Sequence, residues 1–284
     1  MDASLAGYVL EALVLIVSSM VLLAVGKAVF AMTNRRFNLR EELVERDNPA
    51  MGLVVAGYLL GLALAIGGAL SGPSRSLERS LIDLVQYGAA GIVLLHLSAW
   101  INDKVILSRF DNIKEIVEDR NCGTGAVVAA NHVAVGLIVY GSMLGQGTLL
   151  TALAFWGMGQ VALIIMALIY RAITPYDVHE QIEKDNVAVG VAFAGVLVAT
   201  ANVVRFAIQG DFISWKQDLI FFATVIVIGA IMLPVARFVT GKIILTGASL
   251  THELANQAKP NLGVGFIEAS VYVAASFIIG WCLA

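Results

Sequence analysis

Asp47-Asn48-Pro49-Ala50-Met51-Gly52 and Asp185-Asn186-Val187-Ala188-Val189-Gly190 are the same phrase written twice, once in each half of the chain, and looser copies stand at Arg120-Asn121-Cys122-Gly123-Thr124-Gly125 and Pro260-Asn261-Leu262-Gly263-Val264-Gly265. The frame is Asn, a small residue two positions on, and Gly four positions on. It continues inward through Ala56, Ala129, Ala194 and Ala269 at +8, then Gly57, Ala130, Gly195 and Ser270 at +9, and Gly61, Ala134, Ala199 and Ala274 at +13. Small residues are common in membrane helices, so one copy would say little. Four copies in register are an internal repeat. Neighbouring copies are unevenly spaced, yet the offset from Asn48 to Asn186 nearly equals that from Asn121 to Asn261, which points to two rounds of duplication.

Each phrase opens an apolar stretch, and the rest of the chain is of the same kind. Hydrophobic residues make up 59% of the 284 positions and charged residues 14%, with a mean hydropathy of +0.85. No water-soluble domain of this length has that balance. Crossing a hydrocarbon core takes about 20 helical residues, and stretches of that length recur at 8–33, 48–71, 81–107, 121–145, 148–172, 186–209, 217–240 and 261–284. They lack the alternation of barrel strands, and backbone in lipid must satisfy its own hydrogen bonds, so the expectation is an all-α polytopic bundle of eight spans. The repeats pair these spans as 1–72, 73–147, 148–210 and 211–284. Two spans per unit make the four copies parallel, unlike inverted-repeat transporters. The first span follows only Met1 to Gly7 without a basic leader, which predicts a retained helix and not a signal peptide.

The basic residues alternate by loop. Arg35, Arg36, Arg40 and Arg46 follow the first span; Lys104, Arg109, Lys114 and Arg120 the third; Arg171 and Lys184 the fifth; Arg237, Lys242 and Lys259 the seventh. The opposite side holds Arg75, Arg79, Arg205 and Lys216, and Lys27 lies within the first span. Basic residues near span ends stay cytoplasmic, so both termini are expected outside the cytoplasm. Lys27, Arg171 and Arg237 lie near span ends, from which long side chains snorkel to the headgroups. A net charge of −3 without a basic block excludes nucleic acid as a partner class.

At about 100° per residue the Asn, the +4 Gly and the +8 Ala fall near 0°, about 40° and about 80°. The small residues at +2, +9 and +13 fall at about 200°, about 180° and about 220°. Each even-numbered helix thus has two opposed small faces and is expected to be clamped between neighbours, the even helices central and the bulkier odd ones toward lipid.

The acidic-Asn-x-Ala-x-Gly opening, clearest in Asp47–Gly52 and Asp185–Gly190, resembles the bacterial inner-membrane family catalogued as domain of unknown function 350, the YjfL-like proteins. The resemblance covers essentially the whole chain. It implies tandem two-helix units in the inner (plasma) membrane and carries no established activity.

Two readings attach to Asn48, Asn121, Asn186 and Asn261: N-caps at helix starts, or a ring of helix N-termini gathering an anion or headgroup, which needs the four starts to converge. Gly52, Gly125, Gly190 and Gly265 are close-packing positions. An ionisable group at membrane depth points to function if it faces the protein interior. His132 and Glu268 fall on the Asn face with Tyr272, and a pseudo-twofold relation of the halves would let His132 approach Glu268. His96 and Asn131 sit at mid-depth, as interhelical hydrogen-bonding groups or as further parts of such a site. Cys122 and Cys282 lie at opposite ends of their spans, against a disulfide between them.

No nucleophile triad, metal motif, CxxC or nucleotide loop is present in the sequence, so no enzyme, cofactor or metal site is expected. The leading expectation is a channel or transporter for monovalent ions or protons in the lipid bilayer, with His132, Glu268 and Tyr272 along its path. The alternative is a scaffold presenting charged cytoplasmic loops, including Glu42, Glu115, Glu180 and Glu253, to a partner protein or lipid headgroups.

Overall fold

A computed structural model of the chain describes residues 5–71, 76–144 and 148–283. Arg75 and the repeat boundaries at 72/73 and 147/148 lie outside the described residues. Among the described residues, eight helices are long and apolar enough to cross a membrane: α1 (Leu5–Thr33), α2 (Pro49–Leu70), α3 (Leu77–Val105), α4 (Cys122–Met143), α5 (Leu149–Ile173), α6 (Val187–Ile208), α7 (Trp215–Phe238) and α8 (Leu262–Leu283). On one face of the molecule, each odd helix is joined to the next even one by a connector with a short helical turn. These turns are Glu41–Glu45, Asn112–Val117, Val178–Glu183 and His252–Asn256.

The even helices stand side by side in the order α2, α4, α6, α8, with α2 and α8 at the two ends. They are central, but as an open row and not as a closed ring. The odd helices form a second layer: α3 lies over α2 and α4, α5 over α4 and α6, α7 over α6 and α8, while α1 rests on α2 and α3. Burial follows this order. The most apolar windows of α4 and α6 are 72% and 78% buried, those of α2 and α8 50% and 33%, and that of α1 11%.

The small residues set the row. A Cβ placed on Gly125 would lie 2.9 Å from the Ala50 carbonyl oxygen, one on Gly190 2.6 Å from Gly123 Cα, and one on Gly265 2.5 Å from the Ala188 carbonyl oxygen. So the +4 Gly of α4, α6 and α8 sits on the +2 residue of the even helix before it, whereas a Cβ on Gly52 of α2, expected as a close-packing position, would meet nothing within 4 Å. One turn deeper, Gly57 meets the backbone of Ala129 and Gly195 that of Ala269, the +9 position against the +8 position. The face of each helix that carries the Asn, the +4 Gly and the +8 Ala thus packs on the opposed small face of its predecessor, in three successive junctions. Without a hydrophobic driving force between helices in lipid, backbone proximity of this kind is what association rests on.

Above these contacts the cores are apolar. Tyr58, Leu62, Leu95 and Val135 fill the first half, and Leu163, Tyr170, Phe193 and Leu197 the second. Tyr58 also ties α2 to α1 by donating its hydroxyl proton to the Gly26 carbonyl at 2.8 Å.

Overpacking a close contact costs about 1–3 kcal/mol, so Gly190→Val is expected to lower stability by at least that much, since the added atoms meet backbone that has nowhere to go. Gly157→Ala on α5, where a Cβ meets nothing within 4 Å, is expected to leave stability unchanged or raise it by up to about 1 kcal/mol. Thermal unfolding of the detergent-solubilised variants measures both.

Candidate functional site

The four Asn residues are built into the helix starts. Asn48 Oδ1 accepts from Met51 N at 3.1 Å, Asn121 from Thr124 N at 2.8 Å, Asn186 from Val189 N at 3.1 Å and Asn261 from Val264 N at 3.3 Å. Each amide nitrogen donates back to a residue of its own connector: Asn48 to Glu42, Asn121 to Glu115, Asn186 to Gln181 and Asn261 to Glu253. In three copies it also donates to a carbonyl of the next connector, Ile116, Ile182 or Leu254. The helix starts therefore stand in a row, each holding the next, and do not converge on an anion.

This use of the connector carboxylates was not legible in the charge pattern. Glu42 and Glu115 are buried, and burial pushes the Glu115 carboxyl above its usual range, partly offset by the Asn121 amide. The third repeat uses Gln181, one position beyond Glu180; Glu180 itself is exposed and pairs with Lys184. A scaffold reading that relies on these glutamates being presented to a partner loses Glu42 and Glu115.

The ionisable groups at depth separate into two clusters. In the first half, His132 on α4 and His96 on α3 are boxed by Phe30 of α1 and Tyr58 of α2. The Tyr58 ring stands edge-on to His96 and His132 with centroids at 5.4 and 5.5 Å, and Phe30 lies 4.6 Å from Tyr58. His96 Nδ1 lies 2.8 Å from the Ile92 carbonyl one turn back. A carbonyl only accepts, so Nδ1 carries a proton, and in the neutral ring Nε2 is the acceptor. That Nε2 and His132 Nδ1 are buried and have no hydrogen-bond partner among the described residues.

Both histidines line a cavity of about 320 Å³ whose wall includes Asp103, Asn112, Asn34 and Trp100, so it extends from mid-helix to the connector face. Asn112 donates to Asp103 at 3.1 Å. Asp103 lies seven residues after His96, which puts both on one face of α3, two turns apart; that spacing is the signal by which Asp103 was findable. Tyr58 and Phe30 gave no such signal, since single aromatics in apolar spans read as core. Asn131 is not in the cavity wall; its side chain accepts from Asn102 and joins α4 to α3.

In the second half, Glu268 is fully buried and meets Arg237 of α7 at 2.7 Å, with the Tyr272 hydroxyl at 3.3 Å from the same oxygen. The expectation that Arg237 snorkels to the headgroups is corrected here: it turns inward, because a buried carboxylate needs a counter-charge more than a cation near the headgroups needs water. The expected approach of His132 to Glu268 is likewise not made. The two stand on α4 and α8, on opposite sides of α6, and the structure brings His132 together with His96 and Glu268 with Tyr272. Among the described residues no cluster of His, Cys, Asp and Glu is arranged to hold a metal ion.

A family model described as Domain of Unknown Function (DUF350) matches residues 4–143 and again 143–283. A UPF0719 transmembrane protein of Aquifex aeolicus (strain VF5) is 24% identical over 252 residues, spanning 86% of this chain and 89% of its own length. UPF0719 transmembrane protein YshE of Bacillus subtilis (strain 168) is 25% identical over 134 residues, which is 47% of this chain but 93% of its own length. No solved structure matches the chain.

Two outcomes are expected from these clusters. Because Glu115 holds its proton to higher pH in the folded state than in the unfolded one, its contribution to stability is full in acid and is lost as pH rises through the folded-state value. Glu115→Gln is expected to flatten that part of the stability-pH profile while keeping the cap, as Gln181 does; unfolding temperatures across the acidic to neutral range test this. Arg237→Ala leaves a buried carboxylate without a counter-charge and is expected to cost about 3–5 kcal/mol, largely recovered in the Arg237→Leu, Glu268→Leu pair, as chemical unfolding in mixed micelles would show.

Proposed function

We propose, for a chain that belongs to the DUF350 family and carries that domain twice in tandem, that this multi-pass membrane protein takes up protons or a monovalent cation through the His96–His132 cavity. The observation that supports this reading is a pair of histidines, each with a buried ring nitrogen without a partner among the described residues, in the lining of a cavity that extends to the connector face. A neutral imidazole has one ring nitrogen with a free lone pair, which can accept a proton or face a cation. A carboxylate on the same helix face, Asp103, gives an entering cation its first counter-charge.

The charge asymmetry of the loops supports a cytoplasmic connector face with both termini on the far side, and the family resemblance supports the bacterial inner membrane as the host. Access from that side passes the Asn34 and Asn112 amides, then Asp103, then His96 and His132. Beyond His132 the way narrows, because Gly61 and Gly136 bring α2 and α4 into backbone contact. A wide solute pore does not fit such packing. The species suited to it is small, and the protein is a carrier of charge and not a catalyst.

Glu268 and Tyr272 stand outside this route, in the Arg237 cluster, where they serve the packing of α7 on α8. Proton flux into liposomes, followed with an entrapped pH-sensitive dye, tests the reading. His132→Asn and His96→Asn are each expected to cut the flux at least tenfold with folding intact, and Glu268→Gln to retain it. No flux in the unmodified protein under either gradient would overturn the proposal in favour of a non-transporting scaffold.

A further inference from the structure

The row of even helices is open at both ends, and the two ends are the two halves of the junction already made three times inside it. In each junction a helix offers the small face at +2, +9 and +13 to the +4 Gly and +8 Ala of the next. At the α2 end the receiving face is free: a Cβ on Gly52 would meet nothing within 4 Å, and Ala56 is exposed. At the α8 end the offering face is free: Gly263 has only its own capping Asn nearby, and Ser270 and Ala274 are exposed.

The caps carry the same break in the same direction. Asn48, Asn121 and Asn186 each donate one amide hydrogen to the following connector, whereas Asn261 has only Glu253 among the described residues. The residue matching Ile116, just after the carboxylate that holds the cap, is Leu43 in the first connector. The odd layer is open in the same sense, since α1 rests on α2 and lacks the preceding even helix that α3, α5 and α7 have.

We propose that a second copy of this chain docks head-to-tail, α8 of one copy against α2 of the next, with Ser270 opposite Ala56, Gly263 opposite Gly52, and the Asn261 amide on the Leu43 carbonyl. The α4–α6 junction supports this, because it joins two complete family domains, residues 4–143 and 143–283, and repeats the +4 Gly on +2 residue contact and the cap-to-connector bond of the junctions within each domain. The interface is therefore one that whole domains form with each other. The Bacillus relative, of which 93% aligns with 47% of this chain, spans only one such domain, so for it any α4–α6 junction is a contact between separate chains. A heterologous interface of this kind closes into a ring or continues as a filament, and here it would give α1 of the second copy a seat over α8 of the first.

The test is disulfide crosslinking of the full chain in liposomes, in a Cys122→Ala, Cys282→Ala background. Ala56→Cys with Ser270→Cys is expected to give a ladder of dimers and higher species on oxidation. Each single variant alone is expected to stay at the one-chain mass, and the two singles mixed are expected to stop at the dimer. Gly52→Trp, which points into open space in one chain, is expected to leave thermal unfolding of the chain intact while reducing the crosslinked fraction at least tenfold. An internal control, Ala130→Cys with Ala194→Cys at the α4–α6 junction, shows that the oxidant reaches such positions. A double variant that remains one chain while the control crosslinks, or single variants that crosslink to themselves, would overturn the head-to-tail interface.

Discussion

Backbone-to-backbone contact between helices is the constraint on which everything else in this protein depends. Lipid tails are as apolar as leucine, so burying a leucine between two membrane helices gains little over leaving it in the bilayer. What separates a specific arrangement from a loose one is how closely two helix axes come, and that is set by the absence of side chains at Gly57, Gly61, Gly136, Gly190 and Gly195. Once those positions are fixed, the row of α2, α4, α6 and α8 follows, and the odd helices have grooves to lie over. The larger cores around Tyr58 and Phe193 fill the space that this spacing leaves.

The connectors turn the same arrangement into a register. A helix start needs its free amide hydrogens answered, and a single Asn answers one with its oxygen while its nitrogen ties down the connector below and, in three copies, the connector of the next repeat. Ion pairs of Arg36 with Asp111 and of Arg109 with Asp177 link successive connectors again. Exposed pairs of this sort contribute little on their own, so the buried amide bonds are the ones that hold neighbouring units at the same depth.

Most of the architecture was legible because its causes are periodic. Helix length, the phase of the small faces and the capping Asn are all readable at fixed spacing, and they place the eight helices and the clamped even row. The closure of that row was not readable, because a small face says that something packs there and not what does; Gly52 and Gly125 look alike in sequence but only Gly125 has a neighbour. The acidic residue of the repeated phrase has a backbone role that its charge does not reveal. Asp47, Arg120 and Asp185 share positive φ values of 48°, 52° and 54°, so the position is a backbone turn at which an acid and a base serve equally. Pro260 cannot adopt that conformation, and the fourth connector makes the turn with two additional residues. The inward turn of Arg237 was hidden because depth along a helix does not reveal which way a long side chain bends.

The two deep clusters are the same place in the two halves, put to different use. His132 and Tyr272 each lie eleven residues after their capping Asn, and Val128 and Glu268 each lie seven after. Phe30 and Tyr170 are offset from each other as Asn121 and Asn261 are, and each of these aromatics packs against its half's cluster. In the second half the carboxylate at 268 draws Arg237 inward, and the pair with its tyrosines occupies the core between α7 and α8. In the first half Val128 asks for no counter-charge, nothing from α3 is drawn across, and a cavity remains with two imidazoles facing it. Equivalent positions thus hold a site closed by its own ion pair in one half and an open cavity in the other. The ion pair that fills the second-half site joins α7 to α8 beside the open first-half site.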